Sequence, residues 1–131
     1  MRKIKKEFEK WNLEKIKTNS RDTNRSFHER EVWFIKIGKN IGFEQNGKGD
    51  QFLRPVIVYK KFSKNVFLGI PLTSIKKDGR FYFSFEFKNK IGSAILSQIR
   101  LFDTKRLSYL IGRMSKKDFG GVKEKLIELL Q

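Results

Sequence analysis

A mainly β domain of the α+β class, flanked by two helices, is what this sequence predicts, and three observations predict it. Short apolar or aromatic runs follow one another at Val32 to Ile37, Pro55 to Tyr59, Val66 to Leu72, Arg80 to Phe87 and Ser93 to Ile99, with Gly, Asn, Asp and Lys between them. A basic amphipathic segment precedes these runs, and a helically spaced apolar set follows them. The chain has 131 residues, the length of one domain. Strands so closely spaced in a small domain close into a compact barrel or a strongly bent sheet.

The elements follow in order. Between Arg2 and Lys17, Ile4, Phe8 and Trp11 with Leu13 or Ile16 recur at i, i+4, i+7 among many lysines, the stripe of an amphipathic helix. That stripe suits docking on the domain or, alternatively, a membrane surface. Thr18 to Ser26 is polar and rich in turn formers and reads as a linker, so residues 1–27 are a helix plus linker and 28–131 the main domain. In the run before Lys88, Phe81, Phe83, Phe85 and Phe87 share one face at period two while Tyr82, Ser84 and Glu86 share the other. Lys76-Lys77-Asp78-Gly79 ahead of it has the composition of a hairpin turn. A short helical turn covers Asp103 to Leu107. Ser115 and Asp118 form a capping-box-like start, and Val122, Leu126 and Leu129 give the closing helix one apolar side. Gly120 and Gly121 in its first turns each cost about 1 kcal/mol against Ala.

Composition narrows the function. Hydrophobic residues make up 38%, including thirteen Phe, so the chain folds rather than acting as a disordered basic tail. It has no Cys, which excludes disulfides and thiolate metal sites and fits a reducing compartment. No apolar run approaches the ~20 residues of a membrane span, and the charged N-terminus lacks the apolar stretch of a signal peptide, so cytoplasmic residence is expected. Lys and Arg number 30 against 14 acidic residues, a net charge of +16. A field of that size points to a polyanion, nucleic acid first and an anionic membrane second, although charge does not separate RNA from DNA.

Three stretches carry the chemistry. E-Q-N-G-K-G-D-Q-F-L-R-P-V-I-V (Glu44 to Val58) sets Arg54 at the mouth of an apolar strand, straight after a Gly-rich polar loop that can bring backbone N–H groups to an anion. Pro55 holds Arg54 in an extended conformation. I-P-L-T-S (Ile70 to Ser74) ends a strand on hydroxyls, and S-A-I-L-S-Q-I-R-L-F-D-T-K-R-L (Ser93 to Leu107) puts Gln98 and Arg100 on one face of a strand-like run. In order and wording, these stretches resemble the MazF/PemK family of toxin ribonucleases, from roughly Glu31 to the C-terminus. The resemblance implies an SH3-like barrel of about five to seven strands. It also implies a homodimer, a cognate antitoxin encoded beside the toxin, and a role in growth arrest.

The family's arginine in the R-P pair is catalytic, which maps to Arg54. Its fork of donors can bind a scissile phosphate and stabilise developing charge, while a guanidinium holds its proton too tightly to act as a base. Thr73, matching the family's Thr-Ser pair, can donate to a phosphate oxygen or cap a turn; Ser74 assists or shapes the loop. Glu44 can act as general base on a 2′-hydroxyl, orient Arg54, or be a solvated carboxylate. Gln45 braces the loop or reads a base, and Lys48 can contact phosphate. His28 is the single histidine, the side chain type that most often shuttles protons near neutral pH, yet its setting before the first strand equally fits a packing role. Ser97, Gln98 and Arg100 form a candidate RNA face, and Asp103 and Arg106 suit an i, i+3 pair.

Two features depart from the family pattern. The loop from Gln45 to Arg54 is longer than the usual link, and Ser97 stands where some relatives have an acid, so Glu44 or His28 would supply proton transfer. The residue set contains no metal-ligand cluster and implies no cofactor. The reading is metal-independent cleavage of single-stranded RNA by internal 2′-hydroxyl attack, leaving a 2′,3′-cyclic phosphate and a 5′-hydroxyl. Its alternatives are a gyrase-poisoning toxin on the same barrel, a non-catalytic nucleic-acid-binding module and a membrane-surface protein.

Overall fold

The computed structural model describes residues 2–19, 26–37 and 53–131, with the side chains of the N-terminal helix from Glu7 to Thr18. The chain runs α1 (Arg2–Asn19), β1 (Glu31–Lys36), β2 (Leu53–Lys61), β3 (Val66–Thr73), β4 (Tyr82–Phe87), β5 (Lys90–Ile95), a 3-10 turn (Leu96–Gln98), β6 (Arg100–Asp103), a second 3-10 turn (Thr104–Arg106), β7 (Leu107–Arg113) and α2 (Lys116–Leu130). The expected class holds: seven antiparallel strands with a helix at each end.

β3 organises the sheet. Its inner edge pairs with β2, which pairs with β1, which pairs with β7. Its outer edge is shared in sequence, β5 taking Leu72 and Thr73 and β6 taking Val66 to Gly69. The strands β6, β3, β2, β1 and β7 all contribute to one buried cluster, Trp33, Ile35, Val56, Val58, Phe67, Phe102 and Leu107 together with Phe27. Contributions from all five strands to one core are what a curled, barrel-like sheet requires. A second cluster on the other face joins Val32, Ile57, Ile70 and Leu72 to Phe85, Ala94 and Leu96, and is covered by Val122 and Leu126 of α2. Ser115 caps α2 by accepting from the Asp118 N–H at 3.1 Å, as the sequence predicts. Gly121 faces the ring of Phe83 so closely that a Cβ there would lie 2.5 Å from it.

Several local expectations are corrected. The run Ser93 to Ile99 is not one strand. β5 ends at Ile95, and the Ile99 N–H closes a turn onto the Leu96 carbonyl, letting the chain step along the edge of β3 into β6. Gln98 and Arg100 therefore do not share a strand face. Lys76 to Gly79 is not a hairpin turn, because β5 lies between β3 and β4. The tight hairpin is at Lys88-Asn89, where both residues have positive φ (52° and 64°), as a two-residue primed turn demands. Of the Phe row, Phe85 is buried, Phe83 and Phe87 are half-buried, and Phe81 lies outside the strand and is exposed.

α1 docks at fewer points than its stripe suggests. Trp11 is buried, whereas Phe8, Leu13 and Ile16 are 42%, 69% and 63% exposed. The contact is partly polar: Glu14 pairs with the buried Lys36, and the Arg106 guanidinium lies 5.7 Å from the Trp11 ring. Among the described residues no helix is long and apolar enough to cross a membrane.

Candidate functional site

Arg54 enters β2 opposite Ile35 of β1. The pairing of Val56 with Pro71 continues toward Arg54 and Thr73, so the two side chains come to the same end of neighbouring strands. Directly opposed residues of an antiparallel pair project on the same face. Arg54 is only 8% exposed and its Nη1 donates to the Leu72 carbonyl at 3.0 Å. Burial lowers its pKa from the usual arginine value without discharging it. A guanidinium moved out of water binds an anion more strongly than an exposed one, since less solvent competes for its donors.

Thr73 takes the turn-shaping role and keeps a proton to donate. Its Oγ1 accepts from the Ile75 N–H at 3.4 Å, which shapes the turn, and a hydroxyl that accepts through a lone pair still has a proton to donate. Behind it a network fixes the loop: Ser93 Oγ accepts from the Lys77 N–H at 2.8 Å, Ser84 Oγ donates to the Lys77 carbonyl at 2.8 Å, and the two hydroxyls meet at 2.9 Å. Ser74 is exposed beside Thr73. A groove of about 330 Å³ opens there, floored by Phe34, Phe85, Ile91 and Ile111 and edged by Lys88 and Lys90. Gly92 lies under its rim, where a Cβ would fall 2.7 Å from the Thr73 carbonyl oxygen. An apolar floor with cations and hydroxyls at the edge suits a planar, charged ligand.

The other expected site residues are placed as follows. Glu44, Gln45 and Lys48 lie outside the described residues. His28 precedes β1 at the end opposite Arg54, beyond Glu31, and Glu31 and Ile35 are four residues or ~13 Å apart along the strand. Within the chain the structure does not bring His28 to Arg54. His28 instead belongs to a turn around Glu31, whose carboxylate accepts from the His28 N–H at 2.7 Å and from Trp33 Nε1 at 3.1 Å, with Arg113 Nη2 at 3.6 Å. Burial pushes the Glu31 carboxyl up, but the hydrogen bonds from Trp33 and His28 and the charge of His28 outweigh it and hold the pKa below the usual value. Ser97 and Gln98 occupy the turn on the outer edge of β3, and Arg100 pairs opposite Gly69 with its guanidinium 4.9 Å from the Phe102 ring. Asp103 accepts from the Lys105 N–H at 2.8 Å, while Arg106 Nη1 donates to the Lys36 carbonyl at 2.8 Å. Among the described residues no group of three or more His, Cys, Asp or Glu side chains could hold a metal ion.

Sequence reasoning missed Lys36, Glu14, Glu31, Ser84 and Ser93. Each owes its role to a partner brought close by folding. Only Glu31, two residues before Trp33, had a partner near in sequence to suggest it.

Comparison with known proteins fits this geometry. Residues 28–130 match the model of the PemK-like, MazF-like toxin of type II toxin–antitoxin systems. Among solved structures, MazF from Deinococcus radiodurans superposes with a TM-score of 0.68 at 19% identity, covering 82% of this chain and 98% of that one. An endoribonuclease from a mycobacterial species, solved in complex with its cognate antitoxin, gives 0.61 at 10% identity, covering 80% and 95%. The Mycobacterium tuberculosis toxin MazF-mt6 gives 0.59 at 10% identity, covering 77% and 96%. No curated protein is significantly similar in sequence. The structural likenesses establish the barrel, and α1 lies outside the family match. On the match to its family model, the chain belongs to the PemK-like, MazF-like toxins of type II toxin–antitoxin systems.

Proposed function

We propose that the protein is a toxin endoribonuclease that cleaves single-stranded RNA at the Arg54–Thr73 end of the barrel, acting in the cytoplasm to stop translation and growth. The observation that carries this is the buried Arg54 guanidinium held on the Leu72 carbonyl at the same strand end as Thr73, which borders an apolar groove, in a chain of this family. The 2′-oxygen attacks the adjacent phosphorus, a 2′-O–P bond forms and the P–O5′ bond breaks. The 2′ proton passes to a base, the role we give to Glu44, and the departing 5′-oxygen takes a proton to become a hydroxyl. Arg54 stabilises the charge that builds on the phosphorane, and Thr73 donates to a non-bridging oxygen. The products carry a 2′,3′-cyclic phosphate and a 5′-hydroxyl.

Residues 28–131 hold this activity and residues 1–27 are an appended helix and linker. Ser74 sits beside Thr73, while the exposed Ser97 and Arg100, with Gln98 between them, flank the strand path on the outer edge of β3. Gln45 and Lys48, which precede Arg54 in sequence, are assigned to RNA contacts. Two partners follow from the family. An acidic antitoxin segment would meet the +16 surface, as the antitoxin-bound mycobacterial neighbour makes reasonable. A second copy of the chain would use β7, which ends the sheet path and exposes Tyr109 and Leu110.

The test is cleavage of end-labelled RNA by purified protein. Cutting persists in excess EDTA, leaves cyclic-phosphate ends, and vanishes when the nucleotide 5′ of the cut is 2′-deoxy. Efficient cutting of the deoxy-substituted strand contradicts the mechanism.

A further inference from the structure

α1 lies outside the family match, yet it holds the end of β1 that pairs next to Arg54. Glu14 pairs with Lys36, and Lys36 pairs in register with Leu53, the residue before Arg54. Arg106 links the same parts, donating to the Lys36 carbonyl while its guanidinium faces the Trp11 ring. Between α1 and the Thr104–Arg106 turn lies a groove of about 410 Å³, whose lining includes Trp11, Lys15, Thr18, Asp103, Lys105 and Arg106.

Three features make this groove suited to an anion. Lys15, Lys105 and Arg106 converge on it against the single carboxylate of Asp103, which is engaged with the Lys105 N–H. The positive charge of Arg100 also acts on Arg106, so the basic character continues toward β6. Thr18 adds an independent sign. It is 5% exposed, lines the groove, and its hydroxyl has no hydrogen-bond partner among the described residues. A buried hydroxyl without a partner is unfavourable, and a ligand oxygen in the groove would supply one. Trp11 also lines the groove, but it is buried with the Arg106 guanidinium over its ring, so it leaves little face to stack a base.

We propose that the groove between α1 and the Thr104–Arg106 turn is an accessory subsite that takes a backbone phosphate of the RNA strand beyond the bond held at Arg54 and Thr73. This rests on the RNA-cleaving reading and extends it: α1 lengthens the RNA track of this toxin past what the family domain provides. Lys15 and Arg106 supply charge, and the Thr18 hydroxyl donates to a phosphate oxygen. The subsite favours longer strands without reading their sequence.

The test uses the full chain and fully 2′-O-methylated oligoribonucleotides, which lack the attacking hydroxyl, at lengths of three and twelve nucleotides. Lys15→Ala and Thr18→Val should each weaken the twelve-nucleotide complex about fivefold at 0.1 M salt, and Lys15→Ala alone should also lower the salt slope by about 0.7, since only it removes a cation from a phosphate. Neither should alter binding of the three-nucleotide strand. Thr18→Val should also raise the melting temperature, because it removes a buried hydroxyl without a partner, so weaker binding cannot be ascribed to unfolding. Wild-type affinity of both variants for the longer strand overturns the subsite, as does equal weakening at both lengths. In those cases undiminished RNA cleavage leaves the catalytic reading standing. A wild-type protein that neither binds nor cuts RNA overturns both.

Discussion

The two ends of β1 each hold charged side chains out of water, and they do so for different ends. At the Glu31 end the protein supplies the partners itself: the His28 N–H, the Trp33 indole and the Arg113 guanidinium all meet one carboxylate. At the Arg54 end a buried cation rests on the Leu72 carbonyl, next to Pro55, Leu72 and Thr73, which line a groove. The first arrangement closes on itself and fixes a turn, with Arg30 at φ 73° leading into the strand. The second leaves the Thr73 hydroxyl and two lysines bordering an open groove. A titratable residue such as His28 is thus no guide to chemistry until its neighbours are known.

The sharpest way to break this contrast is at Thr73. Thr73→Ala should lower the single-turnover cleavage rate by about 10²-fold, while Thr73→Ser keeps the donor and most of the rate. Equal losses in both variants would mean that Thr73 acts through its methyl packing. At the other end, Glu31→Ala should leave the intrinsic cleavage rate alone and destabilise the fold by about 1–3 kcal/mol, because the Trp33 N–H loses its acceptor. The folded-state pKa of Glu31 lies below its unfolded value. Its contribution is therefore complete above the unfolded value and disappears as pH falls through the folded one. Urea melts of wild type and Glu31→Ala should differ at neutral pH and converge in acid. A gap that widens in acid contradicts the assignment.

The smallest effect tests the face covered by α2. Helix propensity favours Ala over Gly at both Gly120 and Gly121, by up to about 1 kcal/mol. At Gly120 nothing lies within 4 Å of an added Cβ, so Gly120→Ala should raise the melting temperature. At Gly121 the added atom meets the Phe83 ring, and overpacking of about 1–3 kcal/mol should win, so Gly121→Ala should lower it. Like signs for the two variants would show that α2 is not seated on Phe83 as described.

The legible parts of this molecule are those whose signals are local. Arg54 before Pro55, the Thr73 hydroxyl after an apolar strand and the Ser115 cap all read from a few neighbouring residues. β6 and β7 did not, because Leu101, Tyr109 and Leu110 are exposed and spoil a one-faced pattern. The break after Ile95 was hidden because Ser93 to Ile99 is apolar enough for a strand; only pairing along β3 shows that the chain must turn. α1 looked like a continuous stripe, yet its docking depends on Glu14 finding Lys36, 22 residues away. The separation of His28 from Arg54 depends on the length of β1 and the direction in which it is crossed.

The central claim is that chemistry belongs to the Arg54 end of the barrel and structure to the His28 end. Single-turnover cleavage of one labelled RNA by Arg54→Lys and His28→Ala, at saturating protein in EDTA, tests it most directly. Arg54→Lys keeps the charge but loses the planar fork and should fall by about 10²–10³-fold while folding normally. His28→Ala should cut at the wild-type rate. A lysine variant that cuts like wild type, with the His28 variant inactive yet folded, would contradict the account.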